Sequence, residues 1–348
     1  MKYTRNQINR AGDLLISNDA DSLKRSEAIN IVNEWRETHF FVLSDLNSQI
    51  SSLLSKAGVQ YAFSSQRIKR RQSIIEKLRN NSTNSMKLGG LQDIGGLRYG
   101  FADINQLDTA FNLLKDFVPQ KFKLEKIYDY VSSPKDSGYR SIHFVYKYDD
   151  KTDAVHDGLR IELQIRTTLQ HSWAMAVETA SLIAKTSLKA NLNDNSIWRE
   201  FFKIVSAVFS YSEKRPLIEL YKMYKHEQLC AAYSKIDKDG RLLQQLEALR
   251  VATNSDLQNR KIEKNRYCVL LTNFNKRTVS FKFFESEYDQ ACNVFNTAEQ
   301  NLMKDEAVVM VSLEKMQELR EAYPSYFMDT EEFVKALKSF MDSCKIYE

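Results

Sequence analysis

The stretch at residues 133–143, SPKDSGYRSIH, concentrates side chains that could bind an anionic ligand. Lys135 and Arg140 are donors for phosphate oxygens, and Tyr139 offers a flat ring on which a base could stack. Gly138 gives the backbone room for a turn, and His143 lies at the start of the apolar run that follows. The stretch therefore predicts a nucleotide-binding loop, provided that further charged groups converge on it.

A strongly basic segment, SSQRIKRRQSIIEKLR at residues 64–79, predicts a helix that is opened by serines. Lys69, Ser73 and Lys77 follow at i, i+4 and i+8, so they would form a stripe on one side of that helix. Two ammonium groups and a hydroxyl in one stripe suit a polyphosphate. The alternative is a solvated helix face, which is what most charged stripes are.

Two carboxylates could complete such a site. Asp93 precedes Gly95 and Gly96 at the start of a predicted strand, and Glu162 lies in the middle of another. Carboxylates from two strands can hold Mg²⁺ on substrate phosphates. Asp93 has a second interpretation, as the residue that caps the turn in the sequence DIGG.

The elements around these residues predict an α/β (α+β) fold, a mixed β-sheet flanked by helices. Residues 4–57 predict one short and one long helix, with Asp21 or Ser22 as an N-cap, and residues 105–117 and 168–185 predict two more. Strands are predicted at 97–103, 122–131, 140–148 and 159–167. Their alternation puts apolar side chains on one face and polar ones on the other, namely Arg98, Ser141, His143, Lys147, Arg160, Glu162, Gln164 and Arg166. A solvated sheet face would explain any one of these strands alone.

The second half of the chain changes character. Residues 195–250 predict two helices, and residues 267–284 predict a hairpin around Asn275-Lys276. A helix, a strand and two short helices follow, which makes a small ββαβ C-terminal domain. We predict three parts: a catalytic domain at 1–190, a helical connector at 191–262 and a regulatory domain at 263–348.

Bulk composition narrows the class of protein. The chain has 348 residues and a formal net charge of +5, a mild bias toward anionic partners. Its four cysteines are Cys230, Cys268, Cys292 and Cys344, and no two of them form a CxxC motif. We therefore expect neither a disulfide framework nor a zinc site, and a reducing cytoplasm fits best. No apolar run approaches membrane-spanning length, and no signal region is apparent. We expect a soluble, cytoplasmic protein without a membrane partner.

Several nucleotide-enzyme classes are excluded by their motifs. The sequence contains no GxxxxGK[ST] and no GxGxxG. His156-Asp157 is an isolated HD pair, and the N-terminal region offers only His39 as a further histidine. A metal phosphohydrolase needs more His and Asp ligands, so that class is excluded.

Four blocks together resemble the synthetase domain of the RelA/SpoT family, the ATP-dependent pyrophosphokinases. They are RIKRRQSIIEK at 67–77, DIGGLR at 93–98, SPKDSGYRSIH at 133–143, and ELQIRT at 162–167 followed by HSWA at 171–174 and Glu178. They run in the family order over roughly residues 60–180. The resemblance implies a nucleotidyltransferase-like mixed sheet flanked by helices, in agreement with the strand pattern.

The resemblance also implies a role for each matched residue. Arg67 and Arg98 would sandwich the adenine of the donor ATP. Asp93 and Glu162 would be catalytic and would position Mg²⁺, with Glu162 also helping to deprotonate the attacking hydroxyl, while Tyr139 would stack on the acceptor base. Two further groups would surround the phosphates: Lys69, Ser73 and Lys77 on ATP, and Lys135, Arg140, His143, Gln164 and Arg166 at the phosphate-rich centre.

Two departures from the family pattern bear on the acceptor. Tyr128 stands where many members have lysine, and Arg140 follows Tyr139 where synthetases of guanosine tetraphosphate usually have glutamine. The sequences SGYRSIH and LQHSWAMAVET look closer to toxic small alarmone synthetases, several of which transfer pyrophosphate to the 3′ CCA end of tRNA. We expect tRNA as the acceptor, with Lys24 and Arg25 as candidate backbone contacts. GDP or GTP is the alternative, and a catalytically inactive RNA-binding or sensor module is a third.

The C-terminal sequence AYPSYFMDT carries a YxxY pair, Tyr323 and Tyr326. With the ββαβ pattern, it resembles CapRel-type fused toxin–antitoxin proteins, in which a pseudo-zinc-finger domain occludes the ATP site until a phage capsid protein binds. The resemblance implies regulatory tyrosines, a phage-protein trigger and a role in antiviral defence. Alternatively both tyrosines pack a small core, and a second YxxY at Tyr221 and Tyr224 shows that the motif also arises by chance.

Overall fold

The structure, a computed structural model, is organised around one eight-stranded sheet. It describes residues 3–17, 21–80, 86–187, 195–238, 242–243, 267–273, 276, 278–285, 288–301, 303, 306–312 and 331–347. In the order in which they lie across the sheet, the strands are β3 (Phe122–Asp129), β4 (Ile142–Tyr148), β5 (Arg160–Thr167), β2 (Gly95–Phe101), β1 (Phe63–Ile68), β8 (Glu306–Ser312), β6 (Tyr267–Asn273) and β7 (Thr278–Phe284). Strands β2 and β5 are parallel and the other neighbours are antiparallel, so the predicted mixed sheet is confirmed.

The chain begins with the predicted short and long helices, α1 (Arg5–Ile16) and α2 (Ser22–Lys56). The carboxylate of Asp21 accepts a hydrogen bond from the backbone N–H of Lys24, which confirms Asp21 as the N-cap of α2. Helix α2 then lies across the apolar face of the sheet with a stripe of fully buried side chains, among them Val42, Leu46 and Ile50.

The helix predicted at 64–79 is wrong in its first half. Residues Phe63–Ile68 form strand β1, and only Arg71–Asn80 form helix α3. Strand β1 pairs antiparallel with β2 along its whole length, from Phe63 opposite Gly100 to Ile68 opposite Gly95. These long-range backbone hydrogen bonds override the helix propensity of the segment, which a local pattern cannot reveal.

The remaining elements of the first half follow the predicted order and alternate between strand and helix. After a 3₁₀ turn at Leu88–Gly90, they are β2 (Gly95–Phe101), α4 (Ile104–Lys115), β3 (Phe122–Asp129), β4 (Ile142–Tyr148), β5 (Arg160–Thr167) and α5 (Thr168–Ser187). The apolar face of this sheet, with the buried Leu97, Phe144 and Leu163, packs under α2 and α4. Its other face is therefore left for chemistry.

A second core lies among helices that follow the sheet. Helices α6 (Asn195–Ser212) and α7 (His226–Ile236), with a 3₁₀ turn at Glu219–Tyr221, pack on α5. Helix α7 ends at Ile236; in the stretch 242–250, through which the second helix was predicted, the described residues Leu242 and Leu243 are helical and the rest lie outside the described residues. None of the described helices is long and apolar enough to cross a membrane.

The C-terminal helix α9 (Glu331–Cys344), followed by a 3₁₀ turn at Lys345–Tyr347, completes this second core and corrects the cysteine prediction. Phe333 and Leu337 are fully buried there, and Cys344 is joined to Cys230 of α7 by a disulfide. The two cysteines are 114 residues apart, with Cα atoms 5.5 Å from each other. The sequence carried no local signal for this pairing because only the packing of α9 on α7 brings the two side chains together.

Between these helices the chain forms the predicted ββαβ pattern: β6 (Tyr267–Asn273), β7 (Thr278–Phe284), α8 (Tyr288–Gln300) and β8 (Glu306–Ser312). Strand β8 lies between β6 and β1, so this unit extends the first sheet and does not form a sheet of its own. The division into domains at 190 and 262 stays a prediction, and the short helices predicted around residues 322–333 fall mostly outside the described residues.

Candidate functional site

One face of the sheet gathers the polar residues that strand alternation predicted. Residues directly opposite each other on paired strands share a face. Glu162 lies opposite Gly96, which lies opposite Arg67. In the adjoining row, His143 lies opposite Gln164, and Gln164 opposite Arg98. Five of the predicted site residues from β1, β2, β4 and β5 thus share one surface.

The side of this surface where the ATP donor is expected is organised around Asp93, which lies just before β2. The ammonium groups of Lys69 and Lys77 each lie 2.8 Å from its Oδ2 atom. Burial opposes the ionisation of this carboxylate, yet the two lysines lower its pKa from 3.8 to about 2. Burial also lowers the pKa of Lys69, against the opposite effect of Asp93. The three charges sum to +1, which favours an incoming anion.

The predicted phosphate ligands still lie close together, although residues 63–68 form a strand and not the predicted helix. Lys69 lies in the link after β1, where its backbone N–H donates to the carbonyl of Ile94 at 2.7 Å. Ser73 and Lys77 lie one turn apart on α3, so they still share a side. Lys69 and Lys77 converge on one carboxylate oxygen, which brings them as close together as the predicted stripe required.

Asp93 also has a carboxylate oxygen that could bind a cation. Its Oδ1 atom is buried and has no hydrogen-bond partner among the described residues. Burying a carboxylate oxygen in this way is costly unless a ligand satisfies it. Within the described part of the chain no group of three His, Cys, Asp or Glu side chains could hold a metal alone. The residues therefore fit Mg²⁺ held by one or two carboxylates together with substrate phosphates.

On the side of this surface where the acceptor is expected, Glu162 is held by two partners. The Nδ1 atom of His143 lies 3.1 Å from its Oε1 atom, and the side-chain amide of Gln164 donates to Oε2 at 2.7 Å. Burial raises the pKa of Glu162, but the hydrogen bonds from His143 and Gln164 outweigh it, so the pKa lies below its usual 4.5. The Nε2 atom of His143 in turn lies 2.9 Å from the hydroxyl of Tyr139. A continuous hydrogen-bond chain thus connects the predicted stacking ring to the predicted base.

The loop that carries Tyr139 is fixed by packing on α5 and α6. Gly138 has a φ of 91°, a conformation that favours glycine. A Cβ atom there would lie 2.8 Å from that of Ser206 and 3.0 Å from the ring of Trp173. The hydroxyl of Ser206 donates to the carbonyl of Gly138 at 2.6 Å. The predicted turn glycine is therefore confirmed, and the reason is a close approach as well as a turn.

Aromatic side chains extend this loop in a way that was not predicted. The rings of Tyr128 and Tyr130 are stacked, with centroids 6.0 Å apart, and Tyr130 meets His143 edge-on at 5.3 Å. Lys135 lies over Tyr130, its ammonium 4.2 Å from the ring centroid, and 5.4 Å from that of Tyr139. The Y-x-Y spacing before the loop was the signal that could have revealed this cluster, because i and i+2 share a strand face.

A buried arginine marks the far end of the site. Arg166 is 1% exposed and is hydrogen-bonded to Nδ1 of His171, whose ring lies on Phe63 at 4.3 Å. Burial, and then the charge of Arg98, lower the pKa of Arg166 from 12.5 to about 9. His171 belongs to the HSWA motif, and the sequence alone predicts no role for it. Its position beside Arg166 now gives it one, which is to orient the guanidinium.

Arg140 is not brought to the site, and its predicted contact with phosphate is wrong. The side chain is 2% exposed, and its Nη1 atom lies 2.8 Å from Oε2 of Glu213, at the end of α6. Glu213 also accepts hydrogen bonds from Thr167 and Gln170. Arg140 therefore ties the loop to the helical layer, because its guanidinium is buried and already paired. Tyr323 and Tyr326 lie outside the described residues.

Residues 66–187, from the second half of β1 to the end of α5, match the family model described as the region found in RelA/SpoT proteins. This segment is a RelA/SpoT domain. The match ends well before the C-terminal unit, so the kinship of that unit with CapRel-type proteins stays a prediction.

Known relatives of the RelA/SpoT domain are similar over part of the chain. GTP pyrophosphokinase YjbM of Bacillus subtilis (strain 168) is 33% identical over 108 residues, 31% of this chain and 50% of that protein. GTP pyrophosphokinase YwaC of the same organism is 25% identical over 156 residues, 41% and 73% respectively. The chain thus spans half the length of YjbM. Among solved structures, small alarmone synthetase 1 from Bacillus subtilis, bound to its product pppGpp, is 24% identical, with 52% of this chain and 90% of that chain covered and a TM-score of 0.39.

Proposed function

We propose that the chain is an ATP-dependent pyrophosphokinase that transfers pyrophosphate from ATP to the 3′ CCA end of tRNA and so blocks translation. The observation that carries this proposal is the single sheet face on which Asp93 with its two lysines lies beside Glu162 with its two orienting partners. Cations for a polyphosphate on one side and a positioned carboxylate on the other are what phosphoryl transfer requires. Retention of both carboxylates argues against a catalytically inactive RNA-binding or sensor module.

On the donor side, Arg67 and Arg98 would hold the adenine while Lys69, Ser73 and Lys77 bind the phosphates. Lys69 and Lys77 now neutralise Asp93. An incoming triphosphate would offer its oxygens to these ammonium groups and so leave Asp93 available to hold Mg²⁺. The ion would polarise the transferred phosphates. The exchange keeps every buried charge paired, which limits its cost.

On the acceptor side, Tyr139 would stack on the terminal base and bring the attacking hydroxyl within hydrogen-bond reach of Glu162. His143 and Gln164 each occupy one oxygen of that carboxylate and leave its other lone pairs for the hydroxyl. Because both partners are themselves on strands, the carboxylate is held in one orientation before the substrate binds. Such preorganisation lowers the barrier to attack on the phosphate.

The choice between tRNA and a guanine nucleotide rests on the acceptor loop. Tyr128 stands where many family members have lysine and extends the aromatic surface next to Tyr130, which suits stacking on successive bases. Arg140 no longer contributes to this choice, since it is paired with Glu213. GDP or GTP remains the second candidate because the matched relatives are named GTP pyrophosphokinases.

We propose in addition that the C-terminal unit restrains the enzyme until a phage protein, such as a major capsid protein, binds. Strand β8 pairs with β1 at Arg67, a predicted adenine ligand. On α8, Phe295 lies against the guanidinium of Arg36, which donates to the backbone carbonyl of Lys69 at 3.0 Å. The unit thus contacts the strand that carries Arg67 and, through Arg36, the backbone of Lys69. A linked inhibitor acts at high effective concentration, so these contacts need only modest affinity.

The test of the activity is transfer of label from [γ-³²P]ATP in the presence of Mg²⁺ to purified tRNA or to GDP, in parallel. We expect labelled tRNA that loses its label when the 3′ terminal adenosine is removed. Glu162→Gln is the inactive control, because it keeps the side-chain shape without the charge. Label on GDP but not on tRNA would establish the second candidate. Because the C-terminal unit is proposed to be inhibitory, Phe295→Ala is assayed beside the wild type, and no transfer to either acceptor from either protein would refute a pyrophosphokinase.

The test of regulation uses point variants because α9 belongs to the second core. A chain cut at residue 265 would lose Phe333 and Leu337 from that core together with the disulfide, so its inactivity would mean little. Phe295→Ala and Tyr326→Ala should instead raise basal transfer and toxicity while the fold survives. Unchanged or lower activity in both would count against inhibition by the C-terminal unit.

A further inference from the structure

A ladder of positive charge crosses three strands next to the acceptor side of the site. Lys123 on β3 lies opposite Lys147 on β4, and Lys147 lies opposite Arg160 on β5. Because Arg160 and Glu162 are two residues apart on β5, the ladder lies on the same face as the predicted base. It begins about 7 Å from Glu162 along the strand and spans roughly 10 Å across the sheet.

The ladder is only partly neutralised by its surroundings. Glu125 accepts two hydrogen bonds from Arg160, at 2.7 and 3.3 Å. Among the described residues, neither Lys123 nor Lys147 forms an ion pair within 4 Å, while the nearby Asp149 is paired with Lys151. Lys123 is exposed and Lys147 is half-buried. Two ammonium groups therefore face solvent side by side.

An ordinary solvated sheet face would not be built in this way. Opposite charges on directly opposite positions stabilise a sheet, and like charges there destabilise it. The three cations of the ladder form two like-charged neighbouring pairs, and each pair destabilises the sheet. An anion bound across them would remove this repulsion. Because this repulsion lies next to a candidate phosphate-binding site, it indicates that the ladder binds an anionic ligand.

We infer that the ladder of Lys123, Lys147 and Arg160 binds the backbone phosphates of a polynucleotide acceptor, on the 5′ side of its reacting end. The inference rests on the proposed function and assigns to this chain a surface for the tRNA strand. Roughly 10 Å of ladder is longer than one phosphate group needs, so it suits successive phosphates of a strand. Phosphate contacts of this kind position the strand, whereas the loop that carries Tyr139 would recognise its reacting end.

The experiment measures tRNA binding as a function of salt in the Glu162→Gln background, so that no turnover occurs. Fluorescence anisotropy with labelled tRNA is recorded for Lys123→Gln/Lys147→Gln. Each phosphate contact contributes about 0.9 to the slope of log K against log salt, so the slope should fall by about 2. At 0.1 M salt the affinity should fall roughly tenfold for each lysine removed. The matched control is Lys56→Gln/Lys115→Gln, two exposed lysines at the ends of helices on the opposite face.

A substitution of Glu125 should change the affinity for tRNA in the opposite direction. Glu125→Gln removes the carboxylate that now holds Arg160, so affinity for tRNA should rise and the slope should increase by up to about 1. When the same substitutions are made with Glu162 intact, the KM for ATP should not change, since the donor lies beyond Glu162 on β2 and β1. Circular dichroism and the melting temperature confirm that each variant is folded.

The outcomes separate the inference from the proposed function. A wild-type slope in the double lysine variant, or an equal loss in the Lys56 and Lys115 control, overturns the inference. A raised KM for GDP with an unchanged tRNA slope overturns it as well, because the ladder then binds a 5′-diphosphate. Absence of labelled tRNA with the active enzyme refutes the proposed function, whereas the salt slope still reports on the ladder.

Discussion

The pair formed by Arg140 and Glu213 gives the sharpest test of how the acceptor loop works. Their side chains are 2% and 8% exposed, and 2.8 Å separates Nη1 from Oε2. Burial lowers the pKa of Arg140, and the charge of Glu213 raises it again. If the pair is structural, each partner serves chiefly to compensate the buried charge of the other.

The expected magnitudes follow from that compensation. Removal of one member of a buried pair leaves an uncompensated charge and costs about 3–5 kcal/mol. Arg140→Met should lie near the lower value, because Thr167 and Gln170 still donate to Glu213. Glu213→Gln should cost at least as much, because Arg140 then keeps no carboxylate. The double variant should be more stable than either single one, since neither buried charge is left.

The assay combines urea unfolding with transfer measured on folded protein. Arg140→Met/Glu213→Gln should recover most of the lost stability and retain transfer to tRNA within a few-fold of wild type. An acceptor role for Arg140 predicts otherwise: the double variant would then be as inactive as Arg140→Met, with a raised KM for the acceptor. That result, with stability restored, would refute our structural interpretation of this residue.

Three further predictions concern other parts of the chain. Asp93→Asn should abolish transfer and should also remove the acid-dependent contribution of Asp93 to the free energy of unfolding. The pKa of Asp93 is lowered from 3.8 to about 2, so this contribution of about 2 kcal/mol is complete above pH 4 and is lost as the pH falls toward 2. Urea unfolding at pH 5 and pH 3 would measure the loss. Tyr139→Phe keeps the ring but removes the hydroxyl that meets His143, so kcat should fall with little change in acceptor KM, whereas Tyr139→Ala should raise KM too; equal effects would contradict the hydrogen-bond chain. Cys230→Ser should lower the free energy of unfolding by about 2–4 kcal/mol and make it insensitive to dithiothreitol, unlike wild type, because the bond to Cys344 closes a long loop.

Much of the fold was predictable because its signals are local. Strand alternation correctly placed Arg98, His143 and Glu162 on one face, since a shift of one residue would bury every polar side chain. The N-cap at Asp21 and the turn at Gly138 were predictable for the same reason. Each depends on side chains within a few residues of it.

The motif blocks contain several residues that the structure brings close together. Lys69, Lys77 and Asp93 converge as the resemblance to the RelA/SpoT family implied. What each one contacts was less predictable. Tyr130 and His171 were missed because their roles come from neighbours on other strands and helices, not from their own motifs.

The sequence by itself determined the face of the sheet, the residue types on it and the family of its RelA/SpoT domain. Only the tertiary structure decided that residues 63–68 form a strand, that Arg140 is bound to a carboxylate 73 residues away and that Cys230 meets Cys344. The physical reason is the same in each case. A period or a cap is set by neighbours along the chain, whereas strand pairing, buried ion pairs and disulfides depend on partners that only folding brings within contact distance.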